Sequence, residues 1–323
     1  MPPIVLTDPA SGSTAEISVE LGFNCFAFRA VVDGRTIDVI DADPDFPQSG
    51  RPSGHGIPLL FPYPNRIRDG RYSWNGRDYR IPDSVAAFDD SGNAIHGFCL
   101  DRPWRLIDRD ESSVTAAFQL SVDAPDRREL WPADALIEVR YRLAGSALTA
   151  VIRIVNPDSD PLPWGFGTHP YFRLPLSENS DLGQCLVHAP ASIAWNLSDC
   201  LPTGRQAPVT GSADLRDGAR ADQLALDDVL TGIEGLSDEP WSCGIIDEVA
   251  GLEVVQSCEN PLVFRELVAY TPPGRAAVCL EPYTCVTDAV NLQSTGVDAG
   301  WRSLDPGAEF RTWISIEARR VVV

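Results

Sequence analysis

Three short segments place ionisable side chains among Gly, Pro and aromatic residues: Asn93-Ala-Ile-His96-Gly-Phe98, Gly167-Thr-His169-Pro-Tyr-Phe172 and Leu280-Glu281-Pro-Tyr-Thr284. The chain has only four histidines, so two in such settings stand out. Two imidazoles and a carboxylate in one pocket can give a proton to one oxygen of a small molecule and take one from another. A free glutamate, with a pKa of about 4.3, is a carboxylate at neutral pH; a free histidine, at about 6.5, needs only an upward push to stay protonated. A neighbouring carboxylate supplies that push. The segments lie far apart in sequence, so only a long-range fold can assemble them.

The elements that must do this are strands. Leu136-Ile-Glu-Val-Arg-Tyr-Arg-Leu143 puts Ile137, Val139, Tyr141 and Leu143 on one face and Glu138, Arg140 and Arg142 on the other, the alternation of a half-buried strand. Val114–Leu120 and Thr312–Ala318 alternate in the same way. Leu148–Val155 is apolar on both sides and reads as a strand between layers. Tyr270-Thr-Pro-Pro-Gly-Arg275 is a turn between two apolar runs. Helical periodicity is weak: the candidates are Ser84–Phe88 and Asp222–Leu230. The Gly/Asp/Pro-rich stretch from Ala191 to Asp238 reads as a long loop region over one face. The expectation is an all-β chain: one large antiparallel β-sandwich domain over residues 1–323, closed or nearly so.

Composition narrows the partners. Hydrophobic residues make up 44% of the 323, enough for a sizeable core. The net charge of −20 repels phosphate backbones, so no nucleic-acid partner is expected. All 26 basic residues are arginine, which removes Schiff-base and phosphate-loop lysine chemistry. The eight cysteines contain no C-x-x-C pair, so neither a zinc ribbon nor a redox dithiol is expected. With no leader-like segment and no apolar run of about 18 residues, the reading is a cytoplasmic protein with reduced thiols and no membrane partner. There is no dinucleotide fingerprint around Gly165-Phe-Gly167, no G-x-S-x-G elbow and no H-E-x-x-H pair. Neither metal nor cofactor is called for.

The chain resembles the aldose 1-epimerases, the galactose mutarotase family. Gly56-Ile-Pro-Leu-Leu-Phe-Pro-Tyr-Pro-Asn-Arg66-Ile67, with Gly70 and Trp74-Asn-Gly76, is similar to the family's first block. Asn93–Phe98 with Arg102-Pro-Trp104 is similar to the second, and Trp164–Leu174 to the third. Leu226-Asp227-Asp228-Val-Leu230 resembles a fourth, and Cys279–Thr284, running on to Asp288 and Asn291, the last. The resemblance implies a sandwich of the galactose mutarotase type (a supersandwich) and interconversion of the α and β anomers of a free hexose. It also implies that His169 is the general acid and Glu281 the general base; the two are expected on opposite sides of a pyranose. Arg66, His96 and Asp227, with Asp228 as a substitute for Asp227, would hold the sugar. Arg173 stands where galactose mutarotases often have asparagine; with Pro170 and the Phe-Pro-Tyr-Pro run, this is closer to a broader bacterial mutarotase-like branch. Trp164, Tyr171 and Tyr283 are candidates to pack on the sugar ring.

Plainer explanations stand beside each role. His96 and His169 could be satisfied turn histidines, Glu281 a structural ion pair, Arg66 a loop cap and Asp227 a surface acid. His55 and His188 fall outside the blocks and read as structural or surface. Arg66, Arg68 and Arg71 could form one anion-binding face, so a mutarotase for a phosphorylated or sulfonated sugar is an alternative. A sugar-binding protein without catalysis is another, although a binder has no need of an acid–base pair. A glycosidase requires two carboxylates flanking the bond, and only one acid sits in a strong motif. The expected partner is a small sugar, the chain acting as monomer or homodimer.

Overall fold

The computed structural model describes residues 2–48 and 50–321. Two large antiparallel sheets carry most of the chain. The nine-stranded sheet runs Arg105–Arg109, Ser113–Gln119, Leu136–Ala144, Ala147–Val155, Glu309–Arg320, Leu252–Cys258, Trp241–Asp247, Cys185–His188, Ala219–Arg220. The other, eight-stranded, runs Leu201–Pro208, Ala191–Ser198, Asp227–Ile233, Glu266–Tyr270, Ala277–Tyr283, Gly167–Thr168, Leu59–Leu60, with Tyr171–Arg173 also paired to Ala277–Tyr283. A four-stranded sheet, from Ile4–Thr7 to Arg35–Asp38, packs into the same core. Gln256 of the nine-stranded sheet donates to the Leu280 carbonyl of the other at 2.8 Å, tying the two together.

The alternating segments form strands as expected. Ile137, Val139, Tyr141 and Leu143 are all buried, while Arg140 and Arg142 are exposed. Leu148–Val155 departs from expectation. Leu148, Ala150, Ile152 and Ile154 face the core, but Val151 is 42% exposed. The outer face of this strand is wet, and a single exposed valine is ordinary.

Neither helical candidate is helical. Ser84–Phe88 is a turn that ends in an isolated bridge from Phe88 to Ala94. In Asp222–Leu230 a short 3-10 turn, Ala221–Gln223, is followed by the strand Asp227–Ile233. Pairing of Val229 and Leu230 with Val268 and Leu267 outweighs a weak local helix preference. The supposed loop from Ala191 to Asp238 is instead largely sheet. Pro202 and Pro208 sit on the edge strand Leu201–Pro208, where a missing N–H is tolerated. A register shift between Trp195 and Leu197 absorbs the irregular spacing.

Candidate active site

The middle of the eight-stranded sheet forms the floor of a cleft of about 1080 Å³. Strand register explains who faces it. Asp227 pairs with Tyr270, Val268 with Glu281, and Tyr171 with Cys279. Directly paired residues share a face, as do residues two apart. Asp227, Tyr270, Val268, Glu281 and Tyr171 therefore point the same way, and all five line the cleft. His169, two residues before Tyr171, joins them.

The opposite wall is built on strained backbone. Asn65 has φ of 54° and His96 has φ of 66°. The amide of His96 donates to the Asn65 carbonyl at 2.8 Å, and Arg66 pairs with Ile95. Such left-handed non-glycine residues persist where surrounding structure holds them. Gly97 completes the turn: a Cβ there would lie 2.2 Å from the Phe61 carbonyl oxygen. This brings Arg66 and His96 to the cleft, so all five predicted site residues line it.

His169 and Glu281 touch. Nε2 of the imidazole is 3.4 Å from Oε1 of the carboxylate. At that separation no pyranose fits between them, contrary to expectation. The His169 amide donates to the Pro58 carbonyl at 3.0 Å. Its ring stacks on Tyr171 (centroids 4.7 Å apart, planes at 7°) and meets His96 edge-on at 5.6 Å. Nδ1 of His169 and Nδ1 of His96 have no hydrogen-bond partner among the described residues. Glu281 takes a short hydrogen bond on Oε2 from the Tyr283 hydroxyl.

Electrostatics follow burial. Desolvation pushes the His169 imidazole down to about 3, and the Arg275 charge adds to this. It pushes His96 well below the usual histidine range, with His169 and Arg66 contributing. The Glu281 carboxyl moves the other way, well above the usual range; burial is the main cause, Asp227 adds to it, and Tyr283 and Arg66 oppose it. Burial thus favours the neutral form of both groups.

Arg66 is fixed rather than free: Nε donates to Asp89 at 2.6 Å and Nη1 to Asn65 Oδ1 at 2.9 Å. Asp227 lines the cleft, whereas Asp228 is not among its lining residues. The arginine cluster comes apart. Arg68 lies 3.6 Å from Asp288, and neither Arg68 nor Arg71 lines the cleft, so of the three only Arg66 faces it. Trp164 and Tyr283 do not line the cleft either. Trp164 packs on Phe310 at 4.9 Å, and Tyr283 is fully buried beneath Glu281.

Several cleft residues were not foreseen. Arg275 lies over the Tyr171 ring at 4.6 Å, donating to Asp41 and to the Gly54 carbonyl. His55, read as structural or surface, is buried, lines the cleft and contacts Asp43. Asp89 anchors Arg66. Arg275 sits in a segment legible only as a turn, and nothing in its spacing signals the stack.

Among the described residues, no three His, Cys, Asp or Glu side chains are grouped to hold a metal ion. Among the described residues, no helix is long and apolar enough to cross a membrane. The cysteines are free thiols, and only Cys200 is not buried.

The family model described as aldose 1-epimerase matches residues 37–317. The chain belongs to the aldose 1-epimerase family. Among curated relatives it is similar to the Escherichia coli protein YihR, 32% identical over 149 residues, covering 46% of this chain and 45% of that one. It is also similar to galactose mutarotase of Rattus norvegicus, 29% identical over 157 residues, covering 47% and 42%. The chain thus matches under half the length of these relatives. Among solved structures, a galactose mutarotase-like protein from Clostridium acetobutylicum superposes with a TM-score of 0.83 at 22% identity, covering 96% of this chain and 94% of that one. An aldose epimerase homologue from C. elegans gives 0.79 at 18%, covering 99% and 100%. At these identities the likeness shows the fold, a sandwich of the galactose mutarotase type.

Proposed function

We propose that this member of the aldose 1-epimerase family interconverts the α and β anomers of a free hexose. The observation that carries the proposal is the contact between His169 and Glu281 at 3.4 Å on the cleft floor, flanked by Arg66, His96 and Asp227. Ring opening needs one group to take the proton from O1 and another to deliver a proton to O5. As these move, the C1–O5 bond breaks and C1 becomes an aldehyde. Rotation about C1–C2 and the reverse steps close the ring on the other face, and the pair ends with the proton count it began with. In this reading Glu281 is the base toward O1 and His169 the acid toward O5. Each contributes about 10²–10⁴-fold. Arg66, held by Asp89, and Asp227 fix sugar hydroxyls through charge-assisted hydrogen bonds, and His96 offers a further polar edge. Tyr171, already stacked on His169, bounds the site on that side.

Polarimetry on freshly dissolved α-D-glucose and α-D-galactose tests this. The protein is expected to accelerate the change in rotation for at least one of them. Failure on both, with glucose 6-phosphate accelerated, transfers the activity to an anionic sugar. Failure on all three while a sugar still binds leaves a binding protein and ends the proposal.

A further inference from the structure

We infer that Tyr283 is a positioning residue for Glu281: by bonding one carboxylate oxygen it aims the other at His169 and favours the carboxylate over the carboxylic acid. The inference rests on the acid–base reading of the pair given above. Glu281 and Tyr283 lie two apart on the strand Ala277–Tyr283 and so share a face. The phenol donates to Oε2, while Oε1 is the oxygen that faces His169 Nε2. With Oε2 occupied, one oxygen remains to receive the O1 proton.

Tyr283 cannot do this work by touching a sugar, since it is 0% exposed. Its location looks built for the carboxylate instead. Gly167 is its cross-strand partner, and a Cβ on Gly167 would lie 2.2 Å from Tyr283 Cδ1. A glycine at 167 is therefore what lets the ring lie flat enough to reach Glu281. The Asn65 side chain bonds the same phenol, and Asn65 also accepts from Arg66.

The chemistry is a hydrogen bond to one carboxylate oxygen, with no covalent bond changed. A donor to a carboxylate favours its charged form. Burial alone would leave the proton on Glu281, because both groups avoid charge in a dry site. The phenol opposes that by stabilising Glu281 as the anion. Desolvation also holds the Tyr283 hydroxyl well above the usual tyrosine range, so it stays a donor and does not carry the proton itself.

The test compares wild type with Tyr283→Phe, using polarimetry and infrared difference spectra in which Glu281 is assigned by subtracting Glu281→Gln. The expected result is a kcat lower by about 10- to 100-fold, the size of a hydrogen bond to a charged group, with KM little changed. In addition, the protonated-carboxyl band of Glu281 should persist to higher pH in the Phe variant. A band that titrates as in wild type overturns the inference, whatever kcat does. Should the Phe variant not fold, Gly167→Ala, which displaces the ring, must move the band in the same direction or the inference fails. A wild type without mutarotation defeats the functional reading, while the infrared comparison still decides whether Tyr283 controls the carboxyl.

Discussion

In the nine-stranded sheet, the strand Leu136–Ala144 alternates strictly between buried and wetter residues; in the eight-stranded sheet, all seven residues of Ala277–Tyr283 are buried. The first strand has solvent on one face, so its pattern announces itself. The second is covered on both faces, by core on one side and by the walls of the cleft on the other. Among apolar neighbours it carries one carboxylate, Glu281, at 2% exposure. An ionisable group in such a strand is costly unless it is paired or put to use. One sheet is built for stability, and the other gives up some of it to hold a reactive group.

The sharpest way to break this comparison is Glu281→Gln. Loss of the base is expected to lower kcat by about 10²–10⁴-fold, and polarimetry against sugar concentration measures it. The fold should not suffer, because the neutral amide has the shape of the buried acid without its charge. The pH dependence sharpens the point. The folded pKa of Glu281 is raised, so its contribution to stability is full below the unfolded value and is lost as pH rises through the folded one. Denaturation followed upward from the unfolded value should show this decline in wild type and not in the Gln variant. Full kcat in the variant would take Glu281 out of the mechanism.

The mirror test lies in the other sheet. Ile152 is fully buried there, facing the core. Ile152→Ala is expected to cost about 2–5 kcal/mol of stability, read by urea denaturation. The kcat of the folded enzyme should stay at the wild-type level, since nothing on that strand reaches the cleft. A large fall in kcat without loss of stability would contradict the division between the sheets.

The same contrast explains what could be read in advance. Leu136–Ala144 was legible because half its residues are wet. The strands from Ala191 to Pro208 were not, because glycine, proline and a bulge at an edge mimic a loop. His169, Glu281, Arg66, His96 and Asp227 were legible only through the blocks they sit in, and the structure places them all on one cleft. Their spatial relation was not legible. Strands running side by side through Gly167–Thr168 and Ala277–Tyr283 make His169 and Glu281 neighbours, a consequence of register across more than a hundred residues. The role of Tyr283 was misjudged because its side chain was assigned to the sugar from its type rather than from its depth.

The support behind His169 offers a smaller effect. Arg275 lies over Tyr171, which stacks on the imidazole. Its positive charge is one of the causes that hold His169 down to about 3, after burial. Arg275→Ala removes that repulsion, so His169 should take up a proton at higher pH and the acid limb of the rate profile should move upward. The alkaline limb, governed by Glu281, should stay in place. A shift of both limbs together would mean that the substitution disturbs the whole floor rather than the histidine alone.

The smallest effect separates two adjacent acids. Asp227 begins the strand Asp227–Ile233, pairs with Tyr270 and lines the cleft; Asp228 alternates to the other face and is half-buried. Asp227→Asn keeps the shape but weakens the charge-assisted hydrogen bond proposed between this residue and a sugar hydroxyl. KM is expected to rise by about 3- to 10-fold, in keeping with the net worth of one such bond, with kcat changed less. Asp228→Asn should leave KM where it was and act, if at all, on stability, because burial already raises its carboxyl above the usual range. The opposite outcome, with Asp228 governing KM, would require the strand Asp227–Ile233 to sit one residue out of register, and Val229 and Thr231 would then change faces together with Asp227.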